Sequence, residues 1–378
     1  YHHTVFPERA PGAARNAARS PVRPPLLAGD TRAMILELPD YDGHEAVHFF
    51  HDRATDLRYV VAIHDTTLGP ALGGCRMWPY ATSTDALRDA LRLSRGMTYK
   101  AALAGVPYGG GKSVVIGDPR KEKTPELLAA IGRAVESLGG RYTTSDDVGI
   151  SAPDVAIIGR ETAHACAPLT AEGKAAPATA YGTYQGILAA AAHAFDGAGL
   201  AGRRIAVQGL GAVGMQLCEY LAADGAVLTV ADIDESRVAE ARRRWGAQAV
   251  ATDAVLESEV DILSPCALGS ILNERTIPRL RCRVIAGAAN NQLATPSDAI
   301  RLHRRGIVYA PDYAINVGGL LDLVHALRGT YDVQAVLDDC HGIFERTRWI
   351  LDQSAARDLP SPAVADELAR SRFRSTGH

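Results

Sequence analysis

The chain has 378 residues, a length that predicts two or three domains. Its 47% hydrophobic and 22% charged residues are those of a globular protein and exclude a disordered or fibrous one. A formal charge of −3 offers no basic footprint for nucleic acid or an anionic bilayer, and no apolar run reaches the ~18 residues of a membrane span. The six cysteines (Cys75, Cys166, Cys218, Cys266, Cys282 and Cys340) form no C-x-x-C pair, which argues against a zinc site or disulfide framework and fits a reducing cytoplasm.

Arg, Ala and Pro dominate the first stretch, which opens Tyr1-His2-His3 and lacks the apolar core of a secretory signal. It reads as a transit-like or expression-derived tail without fixed structure. From His44 to Asp65 the pattern is a β-hairpin, with Ala54-Thr55-Asp56 at its turn. The segment contains His44-Glu45-Ala46-Val47-His48, the H-E-x-x-H of zinc metalloproteases. That motif works only on a helix; on a strand, residues four apart stand roughly 13 Å from each other, so no metal is expected. A glycine-rich loop over Gly69–Met77 then leads to a helix from Asp85 to Tyr99, with Leu87, Leu91 and Met97 at helical spacing.

The stretch from Met97 to Gly117, MTYKAALAGVPYGGGKSVVIG, places Lys100 and Lys112 among small and apolar residues. Gly109-Gly110-Gly111 reads as a tight turn that admits another molecule to the main chain, followed by a buried strand over Ser113–Ile116. A phosphate loop is excluded, because its G-x-x-x-x-G-K-[ST] pattern needs glycine where Val106 stands. Two readings remain for Lys112: a solvated lysine on a glycine turn, or a buried ammonium whose depressed pKa suits it to act as a base.

Thr124-Pro125 starts a helix running to Leu138, and Arg141–Thr144 is a strand delivering Asp146 and Asp147 to a loop. Ala165–Ala178 reads as a linker and Thr179–Phe195 as a helix. Next, strand Arg203–Gln208 meets Gly209-Leu210-Gly211-Ala212-Val213-Gly214, a helix from Met215 to Ala223, and a second strand closing on Asp232, 23 residues after Gly209. A lone G-x-G-x-x-G is weak, but within a βαβ unit followed by an acid it is the dinucleotide fingerprint. Asp232 would accept bonds from the ribose hydroxyls and repel a 2′-phosphate, which favours NAD. Three later strands end in loops carrying Ala267, Asn290-Asn291 and Pro311-Asp312-Tyr313, where a nicotinamide and its substrate would lie. From Asp332 onward the chain reads as helical, with a break at Leu359–Pro362.

Together, Gly69-Pro-Ala-Leu-Gly-Gly, Met97-Thr-Tyr-Lys, Gly109-Gly-Gly-Lys112, Ser145-Asp-Asp-Val-Gly149, Gly209-Leu-Gly-Ala-Val-Gly214, Gly287-Ala-Ala-Asn-Asn-Gln-Leu and Pro311-Asp-Tyr resemble the glutamate/leucine/phenylalanine/valine dehydrogenases. The leucine, valine and phenylalanine members are the most similar. The resemblance implies an α/β chain of two domains. A catalytic and oligomerisation domain would cover 33–166 and be completed by the helical segment 341–378; a Rossmann NAD-binding domain would cover 167–340, and 1–32 would be the tail. It implies a homo-oligomer that acts on an amino acid, its 2-oxo acid and ammonia.

By the same resemblance, Lys100 would hold the substrate carboxylate, Lys112 would be a low-pKa base that activates water, and Asp147 would shuttle protons to the amino group. Thr179 and Asn291 would lie at the nicotinamide, and Gly73 and Gly74 would support the carboxylate. Leu72, Ser145, Leu320 and Leu323 would line the side-chain pocket. The glutamate enzymes carry lysine and serine at positions 72 and 323, so glutamate is not the expected substrate. Asp322, where the branched-chain enzymes have asparagine, together with His325-Ala326 and Ser145, leaves room for an unusual side chain.

Overall fold

The computed structural model describes residues 35–167, 176–195, 199–329 and 331–374. The expected N-terminal tail and most of the expected linker lie outside these residues. Residues 35–38 carry one 3-10 turn, Ile35–Glu37. The remainder is built on two sheets.

The first sheet begins with the hairpin β1 (Ala46–Asp52) and β2 (Leu57–Asp65), paired from Ala46–Ile63 to Asp52–Leu57. β3 (Ala71–Trp78), α1 (Ser83–Ala104), β4 (Gly109–Ile116), α2 (Pro125–Glu136), β5 (Tyr142–Ser145) and α3 (Ala152–Ile158) follow. The strand order is β1-β2-β4-β3-β5, with β3 parallel to both β4 and β5. Thr82 caps α1 by accepting the Asp85 N–H, and Gly105, at φ 74°, ends it in the left-handed region. Thr124 caps α2 with Pro125 in its first turn. α2 and α3 pack Leu128, Ile131 and Ile158 against Leu57, Tyr59 and Met77 of the sheet. Each such side chain contributes roughly 1.5–3 kcal/mol by leaving water.

Two glycine runs differ from expectation. Gly73-Gly74 and Gly109-Gly110-Gly111 are not loops; they lie inside β3 and β4. Glycine is needed there for close approach. A Cβ at Gly110 would stand 2.1 Å from Thr98 N, and one at Gly111 would stand 2.7 Å from the Tyr142 ring. The H-E-x-x-H histidines sit before and on β1 rather than on a helix. His44 is buried, bonded to Leu91 O at 3.0 Å and Ser94 Oγ at 3.1 Å.

The second sheet starts after α4 (Ala176–Ala194), which begins three residues earlier than expected. β6 (Arg204–Gln208), α5 (Ala212–Ala223), β7 (Val227–Ala231), α6 (Glu235–Trp245), β8 (Gln248–Ala249), β9 (Ile262–Pro265), β10 (Val284–Ile285), α7 (Pro296–Arg304) and β11 (Val308–Tyr309) form the doubly wound part. All its pairings are parallel, in the order β11-β10-β9-β6-β7-β8. The chain reverses direction across the sheet between β6 and β9, the switch point at which such sheets bind dinucleotides. The short helix α8 (Asp312–Ile315) and α9 (Gly318–Leu327) lead to α10 (Val333–Arg357), which lies along α4.

α11 (Ser361–Phe373) returns to the first sheet and packs on α1. Arg370 Nε donates to Tyr99 OH at 2.9 Å, Arg372 Nη1 donates to Ala102 O at 2.5 Å, and the Phe373 and Tyr99 rings meet edge to face at 5.5 Å. Among the described residues no helix is long and apolar enough to cross a membrane.

Candidate active site

The chemistry-bearing side chains gather where β3, β4 and β5 run side by side. Lys112, on β4 opposite Ala62 of β2, is 6% exposed. Its Nζ lies 3.0 Å from Asp147 Oδ2, in the loop that leaves β5. The same oxygen accepts a 2.8 Å bond from Arg76 Nε of β3, and Arg76 Nη1 reaches on to Asp89 Oδ2 at 3.0 Å. Tyr80 OH donates to that Asp89 oxygen at 2.5 Å. Burial opposes the charge on Asp147, yet Lys112 and Arg76 outweigh it and hold the carboxyl at about 2. Gly74 makes this packing feasible, since a Cβ there would stand 2.9 Å from that of Asp147.

Lys100 projects from α1 and is half-buried. Burial drives its ammonium down, to about 8, against the pull of Asp312, with the positive charge of Lys112 adding to the fall. Leu72, Leu320 and Leu323 belong to one core cluster and are 0%, 5% and 7% exposed. The Ser145 hydroxyl is not turned to open solvent but donates to Asp146 Oδ1 at 2.9 Å.

On the second sheet, Gly209 takes φ 93°, and Gly214 comes so close to it that a Cβ would meet Gly209 O at 2.0 Å. Ala267, from the loop after β9, packs on Gly209. Gly211 caps α5 with no side-chain bond, so N–H groups of its first turn are left for a ligand, and a Cβ at Gly211 would meet nothing within 4 Å among the described residues. Asp232 Oδ2 accepts the Leu210 N–H at 2.5 Å and Oδ1 the Asp234 N–H at 2.8 Å, which fixes a carboxylate beside the glycine loop. These residues fit a dinucleotide pyrophosphate and ribose. Gly211→Ala is therefore expected to leave the melting temperature unchanged while filling the cradle. A titration of intrinsic fluorescence with NADH should show affinity weakened about tenfold or more, by loss of close backbone approach.

Beyond that site, α8 and α9 pack against α1. Asn316, 3% exposed, donates through Nδ2 to Asn290 Oδ1 at 2.9 Å and Ala288 O at 3.2 Å, while its buried Oδ1 has no partner among the described residues. Gly318 lies against Ala178 and Thr179. Asp322 is 1% exposed; Oδ1 accepts from Tyr331 OH at 2.6 Å, and Oδ2 has no partner among the described residues. His325 is paired with Asp339 at 2.8 Å.

Sequence reasoning missed Arg76, Asp89 and Asn316, and named Asp312 only as part of a strand-end loop. Arg76 and Asp147 are 71 residues apart, so nothing local announces their pairing. Asp312 and Asn316 carried a signal, a polar pair bracketing a strand-end turn.

A doubly wound parallel sheet with an open glycine cradle, joined in one chain to a sheet that carries a lysine–aspartate centre, defines a nucleotide-dependent dehydrogenase. Residues 44–167 match the Glu/Leu/Phe/Val dehydrogenase dimerisation domain, and residues 233–322 match the glutamate/leucine/phenylalanine/valine dehydrogenase domain. The chain is 45% identical over 343 residues to leucine dehydrogenase of Geobacillus stearothermophilus, covering 90% of this chain and 92% of that one. It is 43% identical over 340 residues to valine dehydrogenase of Streptomyces virginiae, covering 88% and 95%. The crystal structure of L-tryptophan dehydrogenase from Nostoc punctiforme superposes with a TM-score of 0.79 at 42% identity, over 88% of this chain and 96% of that one. The chain belongs to the Glu/Leu/Phe/Val dehydrogenase family, oxidoreductases acting on CH–NH2 donors.

Proposed function

We propose that this protein catalyses reversible oxidative deamination of an apolar L-amino acid, branched-chain or aromatic, to the 2-oxo acid and ammonia, with NAD as cofactor. The observation that carries this reading is the Lys112–Asp147 pair at 3.0 Å beside the low-pKa Lys100. Lys100, protonated, binds the substrate carboxylate, supported by the Gly73-Gly74 backbone. Both cations converge on Asp147 Oδ2, which leaves Oδ1 to take a proton from the substrate amino group. Lys112, acting as the neutral amine, accepts a proton from the water that attacks the imine carbon; Asp147 then returns its proton to the nitrogen so that ammonia can leave, and the hydroxyl proton passes to solvent as the 2-oxo acid forms. NAD, when bound, accepts the hydride from the α-carbon. Leu72, Leu320 and Leu323 surround the side chain with apolar surface, which disfavours a charged one.

NAD is favoured over NADP because the Asp232 carboxylate is fixed beside the cradle by two backbone N–H groups and would repel a 2′-phosphate. We assign residues 33–166 and 341–378 to a catalytic and oligomerisation half and 167–340 to the NAD-binding half. The match to a dimerisation domain supports a homo-oligomer. The free state of all six cysteines agrees with a reducing, cytoplasmic setting.

The test is reduced-cofactor formation with a panel of L-amino acids at alkaline pH, using NAD and NADP in parallel. Turnover of Leu, Val or Ile, or of Phe or Trp, with NAD supports the reading; silence with cofactor still bound leaves a non-catalytic binding protein. A second reading, a specialised enzyme for an unusual amino acid, is favoured by buried Asp322, which precedes Leu323 in α9 and whose Oδ2 has no partner among the described residues. It predicts preference for a side chain that ends in a hydrogen-bond donor.

A further inference from the structure

The two oxygens of Asp147 stand in different surroundings. Oδ2 takes Lys112 Nζ at 3.0 Å and Arg76 Nε at 2.8 Å, whereas Oδ1 has no hydrogen-bond partner among the described residues. The Asp147 backbone is fixed by reciprocal bonds with Ile150, at 3.1 and 2.9 Å, so the side-chain partners decide which oxygen stays open. An arginine beside a carboxylate commonly forms a two-bond fork. Arg76 does not. Its Nη2, the nitrogen that would complete the fork with Oδ1, has no partner among the described residues, and its Nη1 is turned to Asp89 Oδ2 at 3.0 Å. That oxygen of Asp89, on α1, also accepts the Tyr80 hydroxyl at 2.5 Å, and burial together with the Asp89 charge keeps the phenol protonated to donate it. On this side Arg76, Tyr80 and Asp89 line a pocket of about 480 Å³ with Trp78 and Val148. The guanidinium therefore has room to turn, and the bond to Asp89 is what restrains it.

We propose that Asp89 is a positioning residue for Asp147: by holding Arg76 Nη1 it restricts the guanidinium to Oδ2 and leaves Oδ1 open to the substrate amino group. This rests on the dehydrogenase reading above. Asp89→Ala removes the hold, and alanine suits a helix position. The guanidinium then closes its fork on Asp147, and its charge meets the amino group that Oδ1 would have received. The subsites for the carboxylate and the cofactor, at Lys100 and the glycine cradle, are untouched. Tyr80→Phe loosens the same hold by one bond. Arg76→Met removes the guanidinium, so in that background Asp89→Ala has nothing to act through.

The first readout needs no turnover. A crystal structure of Asp89→Ala should show Arg76 bonded to both oxygens of Asp147. In turnover, the amino-acid and ammonia KM of Asp89→Ala should rise about tenfold, the effect of one hydrogen bond to a charged group, while the 2-oxo acid and NADH KM stay unchanged. A merely structural role would raise all four together. Tyr80→Phe should show the same split at about threefold, and it carries the test if Asp89→Ala does not fold. Arg76→Met should have the same amino-acid KM with and without Asp89→Ala. An Oδ1 left open in the Asp89→Ala structure, a uniform rise in KM, or a further rise from Asp89→Ala in the Arg76→Met background overturns the proposal. Absence of wild-type turnover with every amino acid would instead refute the dehydrogenase reading, and the crystal structure would still decide whether Asp89 holds Arg76 off Oδ1.

Discussion

Lys112→Met is expected to lower kcat by about 10²–10⁴-fold while the protein stays folded. Lys112 is 6% exposed on a central strand, and methionine fills nearly the same volume without asking for solvation. The fold therefore survives, and the change falls on proton transfer. Arg76 still binds Asp147 Oδ2, so the carboxylate remains in place, but one of the two cations that hold it near 2 is gone. Its pKa must rise, and the acid limb of kcat should move to higher pH. Single-turnover measurements of reduced cofactor across pH, with a thermal melt on the same sample, check both parts. A variant with kcat within threefold of wild type and an unshifted acid limb would remove Lys112 from the mechanism.

Gly73→Ala should destabilise the protein by about 3 kcal/mol, a melting temperature roughly 6–12 °C lower. A Cβ at this position would stand 1.8 Å from the Gly111 carbonyl oxygen and 3.5 Å from Lys112 N. The β3–β4 ladder pairs Leu72 with Gly110 and resumes only at Cys75 with Ser113. Between those points the strands must separate to admit a methyl group, and Tyr142, whose hydroxyl donates to Gly73 O at 2.6 Å and lies 3.0 Å from the Ser113 hydroxyl, would lose its seat. Any soluble variant should also have lost most activity, because Lys112 moves with its strand. Gly96→Ala is the control: Gly96 lies on the exposed face of α1, and a Cβ there would meet nothing within 4 Å among the described residues, so alanine should stabilise by about 0.5–1 kcal/mol. A Gly73→Ala melt indistinguishable from wild type would mean that β3 and β4 are not packed as described.

The contrast between these glycines shows how far the sequence could be read. The cofactor cradle was legible because its meaning is local: strand, glycines, helix and acid follow one another within one βαβ unit. Gly109–Gly111 was read as a turn that admits another molecule to the main chain and Gly73-Gly74 as part of a glycine-rich loop, whereas both lie in strands. A missing side chain reveals that space is short, not which neighbour takes it. Here the neighbours are Gly111, Thr98 and Tyr142, brought in by strand pairing between distant segments. The same limit hid Arg76, which has no motif of its own and acquires its role only when β3 and β5 lie side by side. Lys100 and Lys112 were singled out as a pair. That burial pushes Lys100 down against the pull of Asp312, 212 positions further on, is visible only in the fold.

The return of α11 to α1 has a consequence for how the protein is made. Arg372 bonds a carbonyl on α1 that lies 270 positions earlier in the chain. At about 5–20 residues per second, a ribosome needs roughly 15–50 s to travel between them. Throughout that interval the helix bearing Lys100 exists without its outer buttress, while the whole nucleotide-binding segment is being translated. Tyr99 and its neighbours are then open to chaperones, or to the same surface on another nascent chain.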